Sequence, residues 1–81
     1  MTVRVKLFAV LRDRAGVAEL PLDLPDGATV AQAKGPLLAR LPSLADHIDR
    51  CGFAVNLAYV KPDAPPRDGD ELALIPPASG G

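Results

Sequence analysis

Eighty-one residues, 48% of them apolar and 23% charged, describe one small globular domain rather than a disordered chain. A chain of this length buries only about 60–65% of its extended surface on folding, which leaves no room for a deep catalytic cleft beside a core. A net charge of −1 excludes a basic field for nucleic acid. The one cysteine excludes an internal disulfide, and no apolar run approaches membrane-spanning length, so a soluble cytoplasmic protein is expected.

Val3, Val5 and Leu7 alternate with Arg4, Lys6 and Phe8, the period of a half-buried strand with its odd positions inward. Phe8 then falls on the side of two cationic stems. Either the strand's end turns it inward, or it forms part of an apolar patch that faces a partner. Residues 11–16 read as a single helical turn closed by Gly16. Leu20, Leu22 and Leu24 mark a second strand, and Pro21 argues that part of it lies at a sheet edge. Asp26-Gly27 marks a turn.

Thr29 and Gln32 have the spacing of a capping box, followed by an apolar stripe of Val30, Ala33, Leu37, Leu38 and Leu41 at helical period. Gly35-Pro36 interrupts it. A proline inside a helix costs about 3 kcal/mol, so a kink is expected there, or a restart with Pro36 at the first position. Pro42 ends the element. Ser43 is placed to cap a short second helix over 44–50, closing at Gly52.

Phe53, Val55 and Leu57 alternate as a third strand running towards Tyr59. A proline-rich loop, 61–67, crosses the sheet to the turn Asp68-Gly69-Asp70. The last strand is 71–75, with Leu72 and Leu74 inward and Ile75 on the opposite face. The order strand, strand, helix, strand, strand predicts an α+β domain, a mixed sheet with a helix packed on one face. One helix leaves the other face uncovered. Phe8 and Ile75 belong there by alternation.

Enzyme signatures are missing. A single histidine and a single cysteine make no Cys/His metal site, and each glycine before the end sits alone at a turn or break. Asp68, Asp70 and Glu71 read as a solvated acidic turn, Cys51 as a small buried hydrophobe and His47 as a surface residue. What remains is the terminal segment Pro76-Pro77-Ala78-Ser79-Gly80-Gly81. Two prolines stop the strand and two glycines make the carboxylate sterically open, so that it can thread a narrow channel. The chain therefore divides into a domain, 1–75, and a Gly-Gly tail, 76–81. A carboxylate must be activated before it reacts, and activation as an acyl-adenylate requires a separate ATP-dependent enzyme.

These residues resemble a known family. Val5 to Arg12 with Gly16, Val55-Asn56 with Tyr59-Val60, and above all the run from Asp68 to Gly81 are similar to the small, sulfur-carrier subunits of molybdopterin synthase (MoaD), within the ubiquitin-like β-grasp proteins. The resemblance implies a β-grasp fold of order ββαββ. It also implies that an E1-like adenylyltransferase activates Gly81 with ATP, and that a sulfur-donor protein then supplies the sulfur that makes it a thiocarboxylate. The large subunit, as a dimer within a heterotetramer, would accept the tail and pass the sulfur to the pterin precursor of the molybdenum cofactor. On this reading Gly81 carries the sulfur, and Gly80, Ser79, Ala78, Pro77, Pro76, Ile75 and Phe8 meet the partner. The catalytic side chains lie on the large subunit, and the chain binds no cofactor itself. Carriers for thiazole synthesis or tRNA thiolation, and protein-conjugating modifiers, share the fold and the Gly-Gly end. The break at Gly35-Pro36 departs from the family's continuous helix, and Ala78 is smaller than the residue common there.

Overall fold

The computed structural model describes residues 1–77. Its sheet has five strands: β1 (Thr2–Leu7), β2 (Glu19–Asp23), β3 (Gly52–Val55), β4 (Ala58–Val60) and β5 (Glu71–Ile75). They lie in the order β2-β1-β5-β3-β4. β5 runs parallel to β1 and antiparallel to β3, with Leu72 opposite Val5 on one side and Val55 on the other. The first and last strands thus form the middle of the sheet.

Alternation places Val3, Val5 and Leu7, Leu20 and Leu22, Phe53, and Leu72 and Leu74 on one face, all buried. That face receives Leu11 from α1 (Ala9–Ala15) and Leu37 from α2 (Lys34–Arg40), with Val30, Ala33, Leu44 and Ile48 from the segments around them. Helices cover one face only, as expected of the α+β class. α1 has two turns rather than one. Gly16 ends it at φ 77°, and its amide donates to the Arg12 carbonyl at 2.9 Å, a left-handed cap that a residue with a Cβ would strain.

The capping box forms as expected. Thr29 N–H donates to Gln32 Oε1 at 2.8 Å, and Gln32 N–H to Thr29 Oγ1 at 3.3 Å. The next two amides are met by the proline-rich loop: Val30 N–H reaches the Ala64 carbonyl and Ala31 N–H that of Pro62. This loop crosses β3 between the edge strand β4 and the central β5, and its carbonyls serve the helix entrance as it passes. A 3-10 turn, Ala31–Ala33, leads directly into α2. The restart therefore falls at Lys34, not at Pro36. Pro36 occupies the first turn of α2, where a missing amide forfeits little.

Two expectations are corrected. Residues 44–50 form no single helix: Pro42–Leu44 and Ile48–Arg50 are separate 3-10 turns, and Gly52 begins β3 instead of capping a helix. Ser43 is not a cap; its hydroxyl donates to the Arg14 carbonyl at 2.9 Å and ties the end of α1 to this segment. The span read as one strand from Phe53 towards Tyr59 is a hairpin. Asn56 and Leu57 both have positive φ, 49° and 73°, in a two-residue connection between Val55 and Ala58. That is the geometry of a type I′ turn, which matches the twist of paired strands. Leu57 points to solvent rather than to the core.

Because Leu72 is fully buried in the middle strand, Leu72→Ala is expected to cost roughly 3 kcal/mol of unfolding free energy, measured by urea denaturation. A loss below about 1 kcal/mol would show that β5 is not the packing centre.

Candidate functional site

On the face without helices, alternation assembles a shallow dish. Its floor is made of small residues: Gly52, Ala54 and Ala73, the last two paired across β3 and β5. Ala54 and Ala73 are 6% and 4% exposed although they lie outside the core cluster. A Cβ added at Gly52 would meet nothing within 4 Å, so the sheet is open beside its partner Ile75.

Larger side chains rim this floor. β1 and β5 run parallel with Leu7 opposite Leu74, so the next residues in register are Phe8 and Ile75. Phe8 is 42% exposed and Ile75 half-buried. Phe8 does not turn inward. Ala9, immediately after it, adopts φ 49°, and this left-handed residue reverses the chain into α1, leaving Phe8 outside while Leu11 returns to the core. Opposite Ala54 stands Tyr59, 79% exposed. Tyr59 is a rim residue that the sequence reading missed, since the hairpin was read as one strand. Its only signal was Asn56, a turn-forming residue, here followed by leucine instead of the usual glycine.

The remaining side is ionic. Lys6 Nζ lies 3.0 Å from Glu71 Oε1, both side chains partly buried. The pair neutralises itself within the chain, so it sets a polar border without leaving a net charge. The dish as a whole has an apolar end at Phe8 and Ile75 and a polar end at Lys6 and Glu71.

Asn56 holds the hairpin to β5. Its amide N–H donates to the Glu71 carbonyl at 2.9 Å, its Nδ2 to Asp70 Oδ1 at 3.0 Å, and its Oδ1 accepts Glu71 N–H at 3.0 Å. The acidic turn is a structural device. Asp70 accepts Arg67 N–H at 2.8 Å, and Asp68 accepts Thr2 N–H at 2.7 Å, which fastens the turn to the start of β1. The hydrogen bond from Arg67 N–H, then that from Asn56, holds the Asp70 carboxyl below the usual carboxylate range.

Pro76 and Pro77 follow β5 at the apolar end, half-buried and exposed respectively. Ala78, Ser79, Gly80 and Gly81 lie outside the described residues. Cys51 is buried, its Sγ donating to the His47 carbonyl at 3.3 Å. Burial pushes the thiol up, against a smaller opposing effect of Lys34. His47 is half-buried rather than on the surface, and its Nε2 has no hydrogen-bond partner among the described residues. Lys34 Nζ sits 5.5 Å from the centre of the Phe53 ring and 3.8 Å from Asp49. Among the described residues, no group of three or more His, Cys, Asp or Glu side chains converges to hold a metal ion, and no helix is long and apolar enough to cross a membrane.

The model of the ThiS family matches residues 5–81. The chain belongs to the ThiS family. Among relatives, it is 41% identical to the molybdopterin synthase sulfur carrier subunit of Chlamydomonas reinhardtii, covering 100% of both chains. Among solved structures, it resembles small archaeal modifier protein 1 of Haloferax volcanii with a TM-score of 0.89 and 31% identity, over 100% of both chains. A ubiquitin of Caldiarchaeum subterraneum shares the fold at a TM-score of 0.64 and 20% identity, over 100% of this chain and 98% of that one. The ThiS-family sheet described above is thus the ubiquitin-like β-grasp, with the hairpin supplying its fifth strand.

The sign of Asp70's contribution follows from its lowered value. The folded carboxyl holds its proton less tightly than the unfolded one. The stability it adds is therefore full above about pH 4 and lost as pH falls through the folded value. Asp70→Asn should unfold more easily than the parent at neutral pH, and the gap should close on acidification. Urea midpoints measured across the acid range test this, and a gap independent of pH would contradict it.

Proposed function

We propose that this chain is the sulfur-carrier small subunit of a molybdopterin synthase, with the carboxylate of Gly81 as the carrier group. The observation that carries the reading is the 41% identity, end to end, with a curated carrier subunit of that enzyme. The geometry supports it. Strand β5 ends beside Phe8 and Ile75, so a partner that takes the tail into its own cleft meets an apolar anchor at the point where the tail leaves the domain.

The chemistry follows from what the chain has and lacks. An E1-like adenylyltransferase joins the Gly81 carboxylate to AMP, releasing pyrophosphate. A persulfide on the donor protein then attacks the carbonyl and AMP departs. A thiol cleaves the resulting acyl disulfide, releasing the thiocarboxylate and leaving a disulfide between that thiol and the donor sulfur. The absence of side chains at Gly80 and Gly81 lowers hindrance at that carbonyl. The tail enters the large subunit, where Ser79 and Gly80 line the channel and Ala78, Pro77 and Pro76 bridge to the docked face. Two carriers flank a large-subunit dimer in this assembly. Catalytic side chains are supplied by the partners, and ATP is consumed by the activating enzyme, not bound here.

A second reading rests on the structural match to small archaeal modifier protein 1: attachment of Gly81 to lysine side chains of other proteins. Activation is common to both readings, and the fate of the activated end separates them.

Mass spectrometry after incubation with ATP, the E1-like enzyme and a sulfur donor should show sulfur replacing oxygen at Gly81. Deleting Gly81 should abolish the product while urea unfolding stays unchanged. An unaltered mass with several such enzymes would remove the carrier reading, and isopeptide-linked products without thiocarboxylate would favour the modifier.

Phe8→Glu should weaken binding to the molybdopterin synthase large subunit by about tenfold or more, while changing unfolding free energy by less than about 1 kcal/mol. Calorimetric titration and urea melts provide the two numbers. A larger loss of stability than of affinity would return Phe8 to the core.

A further inference from the structure

Among the described residues, three that are not glycine have positive φ: Ala9, Asn56 and Leu57. Each lies within three residues of a rim side chain, Ala9 directly after Phe8, and Asn56 and Leu57 just before Tyr59. For Ala9 the fold supplies a reason, the reversal into α1. For Asn56 the side chain supplies one, since asparagine tolerates this region and its amide group clasps β5. Leu57 has neither.

Leu57 carries two unfavourable features at once. A branched, bulky side chain at φ 73° crowds its own backbone, where glycine would be relaxed. The same side chain is 86% exposed, the most exposed of the large apolar residues described. An Asn-Gly turn would remove both costs and leave the hairpin register unaltered. A strained residue that keeps an apolar group in water points to a contact the isolated chain does not contain.

We infer that Leu57 is an anchor for the same protein surface that receives the tail, so that this partner grips the sheet lengthwise. The inference rests on the docking-face reading of the preceding section. Its basis is continuity: Leu57 is two residues from Tyr59 on the same hairpin, and Tyr59 stands across from Ala54 on the dish. The hairpin tip adjoins Glu71, where β5 begins, whereas Ile75 and the tail lie at its other end. Four residues of strand separate them, about 13 Å. A footprint reaching from Phe8 and Ile75 through Tyr59 to Leu57 crosses the dish along its length. The occupant must offer a cleft for the tail at one end and, at the other, an apolar pocket for Leu57 set beside polar groups that face the Lys6–Glu71 pair.

The decisive variant is Leu57→Gly, measured beside Phe8→Glu for binding to the molybdopterin synthase large subunit by calorimetry, and for stability by urea unfolding. The expected result is an affinity about tenfold or more weaker with an unfolding midpoint equal to or above that of the parent, because the turn is relaxed while the anchor is lost. Leu57→Asn, which also tolerates the left-handed region, serves where the glycine variant folds poorly, and the same pattern is expected. Unchanged affinity for both Leu57 variants, with Phe8→Glu still weakened, overturns the anchor and leaves the docking face in place. If Phe8→Glu also binds normally, the docking face itself is wrong and the inference falls with it. If the Leu57 variants bind the large subunit normally but lose self-association in sedimentation, the occupant is a second copy and the inference is likewise overturned.

Discussion

Everything in this domain depends on the pairing of β5 between β1 and β3. β5 contributes Leu72 and Leu74 to the centre of the core, and the same five residues present Ala73 and Ile75 to the opposite face. The parallel register with β1 brings Phe8 level with Ile75 although 67 positions separate them in the chain. Closing so long a loop costs entropy that local contacts cannot repay, so the apolar burial at this seam has to. The proposed working end therefore leaves the molecule from its best-packed strand. The proposed action of the tail in another protein's cleft calls for a mount that does not yield, and β5, paired on both sides, supplies it.

The open face is economical in a related way. A single layer of helices leaves one side of the sheet to water, and an apolar surface there would aggregate. This chain meets the problem with small residues at the middle, a self-neutralising Lys6–Glu71 pair at one border, and large apolar groups only around the rim. On the proposed docking of a partner, the open space at Gly52 leaves room beside Ile75, and few long side chains need to be immobilised.

Much of this was legible in residue order, for physical reasons. Val3, Val5 and Leu7, and later Leu72 and Leu74, alternate without interruption because one side of each strand is covered and the other is not, so the period reports burial directly. Thr29 and Gln32 carry their partners within four residues, and the capping box needs no tertiary information. The hairpin at Asn56 and Leu57 was hidden because Phe53, Val55, Leu57 and Tyr59 keep the alternating rhythm straight through the turn, and leucine sits where glycine normally signals one. Residues 44–50 misled in the opposite sense. Their apolar spacing fits a helix, but Leu44 and Ile48 are drawn into the core from two separate 3-10 turns, and Ser43 spends its hydroxyl on the Arg14 carbonyl. Tertiary demand outweighed local preference there. The open face was visible through the alternation that puts Phe8 and Ile75 on it, and Tyr59 joins it through pairing with Ala54 that no local pattern announces.

Pro21 has a meaning beyond its place in the register. It sits at the middle of β2, an outer strand of the sheet, where an unpaired row of amides and carbonyls would invite a strand from another molecule. Proline offers no amide, and its carbonyl is already taken by Arg40 Nη1 at 2.8 Å. Glu19 and Asp23 on either side add like charges that repel an identical edge. At the other margin β4 is only three residues long and runs into Lys61-Pro62. Neither margin makes a good template for fibre growth. With both margins of the open sheet blunted, the face and the tail remain as the proposed points of contact with other molecules.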